Sequence, residues 1–171
     1  MHSLGGSAEA TESIVKMLRA KFDVVRFIIT GAAKSAATML AFSGNSILMD
    51  SSAELGPIDP QVRVRGRFSP AGSIIEQFDR ATKELKKDPS QLSVWIPILQ
   101  EFAPSLLVEC ENFIGLSKRL VTEWMTNFMF KGEKNAKTKA KKIANYLTNE
   151  KNTLSHARRI DAELLKKLGV K

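Results

Sequence analysis

The chain has 171 residues, of which 43% are hydrophobic and 26% charged, with a formal net charge of +8. This balance suits one globular domain with a single core and excludes a disordered or fibrous chain. The lone cysteine, Cys110, excludes an internal disulfide, fits a reducing compartment and has no partner at a zinc-binding spacing.

Taken in order, Gly5-Gly6 leads into a helix over residues 8–21, with Ile14, Val15, Leu18 and Phe22 as its apolar stripe. Residues 23–30 (Val24, Val25, Phe27, Ile28, Ile29) read as a central strand covered on both faces. Gly31 and a run of alanines then turn this strand into a tightly packed helix over residues 36–42, with Ser35 at the turn. Two readings of Ser35 follow. It caps the helix, or it is a nucleophile beside free backbone N–H groups at the positive end of a helix dipole. Lys34 is badly placed to take its proton, because adjacent residues at a helix start diverge by about 100°.

A second short strand is expected over residues 47–50. The alternation of helix and strand predicts an α/β fold with a mainly parallel sheet. Residues 62–66 alternate as an edge strand does, and Pro70 opens a helix reaching Leu85. Lys83, Lys86 and Lys87 lie on that helix end among alternating charges. Helices follow over 92–102 and 105–130, and their apolar residues suit a core, a peptide-binding groove or a subunit surface. Cys110 falls inside a helix, where a thiol is ordinarily buried and inert.

The charge is uneven, since residues 131–171 hold twelve Lys/Arg against four Asp/Glu. A basic helix over 136–147 carries Ala140, Ile143, Ala144 and Leu147 on one face, and Asp161 caps a last helix over 162–168. Such a segment is a solvated helix face or a contact for an acidic partner, either nucleic acid or an anionic membrane. No apolar run approaches the length of a membrane span and no signal-peptide pattern is present, so the chain as given reads as cytoplasmic.

Three segments carry a resemblance: Gly5-Gly6-Ser7-Ala8-Glu9-Ala10, Ala33-Lys34-Ser35-Ala36-Ala37-Thr38-Met39-Leu40-Ala41, and Glu54-Leu55-Gly56-Pro57-Ile58-Asp59-Pro60-Gln61. Together they resemble the serine dehydrogenase proteinase family, a distant relative of the ClpP and signal-peptide peptidases, with a weaker match at Ser155-His156-Ala157-Arg158-Arg159-Ile160. The resemblance implies a ClpP/crotonase-like domain over residues 1–171: a mainly parallel sheet with flanking helices, a helix-rich C-terminal half, and a first strand or strands missing ahead of residue 1. Residues 131–171 would be a basic helical tail carrying His156. It implies membrane association if an upstream anchoring segment has been lost, a peptide or protein substrate, a homo-oligomer, and no cofactor or metal.

For the site, the resemblance implies peptide-bond hydrolysis with Ser35 as nucleophile, His156 as general base and Asp59 as the acid that orients it. Gly5 and Ala36 would supply oxyanion-hole N–H groups. Ala157 and Arg159 stand where the family pattern has glycine and proline, and Asp50 and Glu54 are alternative acids. Two other outcomes stay open: an inactive interaction module on the same fold, and a Ser-Lys dyad of signal-peptide-peptidase type using Lys83, Lys86 or Lys87 as base.

Overall fold

The computed structural model describes residues 1–171, which divide into two compact units: Met1–Asp59 with Leu116–Lys171, and Pro60–Gly115. The first unit begins with α1 (Ala8–Lys21), capped by Ser7, whose hydroxyl accepts from the Ala10 N–H at 3.1 Å. Strand β1 (Arg26–Ile29) pairs in parallel with β3 (Ser46–Met49), and β2 (Ala32–Ala33) in parallel with β4 (Glu54–Leu55). Between them lies α2 (Ala36–Phe42), whose alanines let it settle into the core. Four small residues, Ala36, Ala37, Thr38 and Ala41, are buried on this one short helix beside the fully buried Phe42.

The C-terminal elements complete the same core. They are the end of α5 (Leu106–Trp124), a π turn (Met125–Met129), α6 (Ala136–Thr148), α7 (Glu150–Thr153) and α8 (Ala162–Leu168). On α6 the expected apolar face, Ala140, Ile143, Ala144 and Leu147, is wholly buried, while Lys137, Lys141 and Lys142 point to solvent. The Asp161 carboxylate accepts from the Leu164 N–H at 2.9 Å and caps α8 as its sequence predicts.

Arg19 ties α1 to the loop after α2. Its guanidinium donates to Asn45 Oδ1 (2.9 Å) and to the Ser43 carbonyl, and lies 3.7 Å from the centre of the Phe128 ring. Partial burial pulls its pKa below the ordinary arginine value.

Two expectations are corrected. Strand β1 is covered on one face only: Ile29 is buried, while Val24 and Ile28 are about 60% exposed and Leu48, the neighbour of Ile28 on β3, about half exposed. An almost unbroken apolar run therefore did not mean burial on both faces. On α1 the buried positions are Thr11 and Val15, whereas Ile14 and Phe22 are exposed. The Ser3 N–H donates to the Ala32 carbonyl (2.9 Å) and the Lys34 N–H to the Ser3 carbonyl (3.0 Å), so residues ahead of Gly5 are backbone-paired.

The second unit is a hairpin, β5 (Gln61–Val64) with β6 (Arg67–Pro70), followed by α3 (Ala71–Lys87), a 3-10 turn (Pro89–Gln91), α4 (Leu92–Leu99) and the start of α5. Its small core gathers Ala71, Ile74, Leu106 and Cys110. Burial and the flanking Glu109 and Glu111 raise the Cys110 pKa, which suits an inert thiol. No helix of either unit is long and apolar enough to cross a membrane.

Glu133, between the π turn and α6, pairs with Lys171 and, at 3.2 Å, with Lys139, and these contacts, Lys171 first, hold its carboxyl below the usual range. A carboxyl depressed in the folded state stabilises the fold above its unfolded value and loses that effect as pH falls through the folded one. Glu133→Gln is therefore expected to lower the melting temperature slightly at pH 7, and the gap from the native chain should close as pH is taken below about 4. Thermal melts at stepped pH check this; a gap that persists at acid pH would contradict it.

Candidate active site

One ladder of backbone bridges brings the site together. Ser3 bridges Ala33 in parallel, Ala33 pairs with Leu55 in parallel, and Leu55 bridges Ile160 antiparallel, with reciprocal N–H to carbonyl bonds of 2.9 and 3.0 Å. Gly5 follows Ser3 by two residues, Ser35 follows Ala33 by two and Asp59 follows Leu55 by four. His156 precedes Ile160 by four. Because the last strand runs in the opposite sense, "before" on it and "after" on the others point to the same end of the ladder. The four segments that carry the candidate residues thus leave the ladder at the same end.

Two of the resulting approaches are direct. His156 Nδ1 lies 2.9 Å from Asp59 Oδ1; the Asp59 carboxyl is almost fully buried and the imidazole about a third exposed. A carboxylate only accepts, so Nδ1 donates to it, and in the neutral imidazole Nε2 is then the nitrogen with the lone pair. On the other side, Gly5 sits against the Ser35 turn. A Cβ on Gly5 would stand 3.1 Å from Ser35 Cβ and from the Lys34 carbonyl oxygen, and its φ of +120° is one that L side chains rarely adopt.

Ser35 is the N-cap residue of α2 by position, yet its hydroxyl makes no capping hydrogen bond. Its backbone is at φ 51°, ψ −120°, a strained conformation for a residue with a side chain. Capping therefore does not explain this serine. The fold holds the turn from behind: Thr38, fully buried, donates its hydroxyl to the Ala33 carbonyl (2.7 Å) and accepts from the Gly56 N–H (3.1 Å). Beside Ser35, the Ala36 N–H occupies the first helical position, where no intrahelical acceptor exists. The Gly5 N–H makes one long bond, 3.3 Å, to the Ser3 hydroxyl.

The other candidates have surroundings of their own. Asp50 is exposed and turned onto its own loop, with Oδ1 accepting from the Ser52 N–H and hydroxyl and the Ala53 N–H, and these bonds hold its carboxyl below the usual range. Glu54 faces Lys34 and Arg159. His2 Nδ1 accepts from the Ala32 N–H at 3.0 Å. Lys83, Lys86 and Lys87 are all exposed on the last turns of α3, in the second unit, beside the Arg80–Glu84 pair. Thr38 lay inside a resembling segment with no role of its own, and Arg159 stood out only as a departure from the family pattern. No group of three or more His, Cys, Asp or Glu side chains gathers where it could hold a metal ion.

The parallel strand pairs with helices packed around them make this a chain of mixed α/β fold. The chain belongs to the ClpP-like SDH-type serine proteinase family, whose model matches residues 1–171. It is similar to two uncharacterized proteins of Methanocaldococcus jannaschii, MJ0137 (29% identical over 170 residues) and MJ1495 (28% over 170). Each alignment covers 99% of this chain but only 51% and 49% of the relative, so the chain spans about half the length of the curated relatives it matches. No solved structure matches it.

The strain at Ser35 gives a prediction independent of activity. Glycine relieves the backbone cost of φ 51°, ψ −120°, on the order of 1–3 kcal/mol, against an unfolded-state entropy penalty of about 1 kcal/mol. Ser35→Gly should therefore be as stable as the native chain or more stable by about 1 kcal/mol in urea unfolding. Clear destabilisation would show that the turn is unstrained.

Proposed function

We propose that this chain hydrolyses peptide bonds through Ser35, with His156 as general base and Asp59 holding the imidazole. The observation that carries the proposal is the 2.9 Å contact between His156 Nδ1 and Asp59 Oδ1 at the same end of the ladder as the strained, uncapped Ser35. With Nδ1–H directed at the carboxylate, Nε2 is the nitrogen left to take the Ser35 proton as Oγ attacks the carbonyl carbon. The resulting oxyanion is received by the Ala36 N–H and, on the opposite side, by the Gly5 N–H, whose long bond to the Ser3 hydroxyl is readily exchanged. Collapse breaks the C–N bond, and the imidazolium returns its proton to the leaving amine. Water, deprotonated by the same nitrogen, then releases the acyl group from Ser35.

A fluorophosphonate probe should label the native chain, and Ser35→Ala should abolish labelling while the fold is retained. His156→Ala should slow labelling on the order of 10³-fold or more, whereas charge-removing changes at Lys83, Lys86 and Lys87 should leave it within about twofold. A folded chain that does not label overturns the proposal. Labelling that survives His156→Ala but needs one of the lysines would assign the base to the second unit instead.

A further inference from the structure

Beside the ladder, three charged side chains form a chain of contacts that hydrolysis itself does not use. The Lys34 stem lies flat over Gly56, where a Cβ would come within 2.6 Å of Lys34 Cδ. Its ammonium reaches Glu54 Oε1 at 2.5 Å and the Leu55 carbonyl at 3.4 Å. The second Glu54 oxygen, Oε2, lies 3.7 Å from Arg159 Nε, and Arg159 Nη2 donates to the Ser51 carbonyl at 2.9 Å. Lys34 immediately precedes Ser35, and Arg159 follows His156 by three residues.

We propose that Glu54 is a positioning residue, a clamp that fixes the turn bearing Ser35 and the loop bearing His156 in one frame; this rests on the reading of those two residues given above. Three features of the contacts support it. The carboxylate stands on β4, the strand between the two segments, and each of its oxygens faces one of them. Lys34 and Glu54 are largely covered, with side chains 13% and 25% exposed, so the pair is screened less than an ordinary surface bridge. Both segments also need an external hold. The Ser35 turn is strained, and the 155–160 loop has two local bonds, Arg158 N–H to the Ser155 carbonyl and Ala157 N–H to the Ser155 hydroxyl, besides the reciprocal Leu55–Ile160 bonds and the His156–Asp59 contact. Without the carboxylate, Lys34 and Arg159 would be two cations sharing one edge with no counter-charge, which drives the segments apart. An arginine suits the far end because its planar fork can donate Nη2–H to the Ser51 carbonyl while Nε stays in ion-pair range of Glu54.

The test is hydrogen–deuterium exchange on the full chain, comparing native protein with Glu54→Gln, Arg159→Gln and the double variant. Glu12→Gln, which removes the exposed Lys16–Glu12 pair, serves as control. Exchange in residues 155–160 should quicken roughly three- to tenfold in each single variant and no further in the double, because the two act as one unit. Amides of β1 and β3, and every amide of the control, should be unchanged. In fluorophosphonate labelling the same single variants should lower the limiting rate while leaving the half-saturating probe concentration unchanged. Native-like exchange of residues 155–160 in Glu54→Gln overturns the clamp, as does an additive double variant. If Glu54→Gln loosens β1 and β3 as well, Arg159→Gln decides, since it alters only a half-exposed guanidinium. A chain that never labels but shows the exchange pattern would sink the hydrolase reading and leave the clamp standing.

Discussion

The backbone bridge between Leu55 and Ile160 is the contact on which this molecule depends. It joins a strand residue to one more than a hundred positions later, by two reciprocal hydrogen bonds among fully buried side chains. Closing so long a loop costs chain entropy that grows only slowly with length, so the core assembled around it can offset the cost. Ile58 and Leu147 reinforce it, the Ile58 N–H donating to the Leu147 carbonyl at 2.9 Å. The contacting pair, Asp59 after β4 and His156 before Ile160, takes its position from this pairing.

The same pairing explains why the Ser35 turn can be strained. A residue at φ 51° with a side chain persists only where its surroundings over-determine it. Here they do: Ala33 is paired on both sides, the Thr38 hydroxyl bonds fore and aft, and Gly5 leaves the space that a side chain would occupy. The strain is local and the restraint distributed, which is how a hydroxyl is kept off its own helix and turned outward. Alanine-rich packing is what permits this, since α2 must lie close enough for Thr38 to reach both β2 and β4.

Charge divides into two roles. Lys34 and Lys171 each meet a carboxylate distant in sequence, and Lys139 meets the nearby Glu133. Lys137, Lys141 and Lys142 simply cover the solvent side of a helix whose other side is core. A high net charge on residues 131–171 therefore coexists with their being structural, because at 3.6 residues per turn a helix separates the two faces completely.

Local chemistry determined much of this protein in advance. Periodicity set α1, α2, α6 and α8 nearly to the residue, because a helix satisfies its own backbone and needs only one apolar stripe and caps such as Ser7 and Asp161. The glycines, Ser35 and Asp59 were legible as turn residues with a catalytic resemblance. Three things were not, and each is non-local. That β1 is covered on one face only depends on which elements come to lie over it, and an apolar run reads the same either way. That Asp59 rather than Asp50 or Glu54 meets His156 was implied by the resemblance and by no local pattern, because it depends on the register at Leu55 and Ile160, and a one-residue slip would turn the opposite set of side chains toward it. That Glu54 stands between Lys34 and Arg159 depends on the order in which strands sit side by side, which hydrogen bonding between distant segments decides and no single segment encodes.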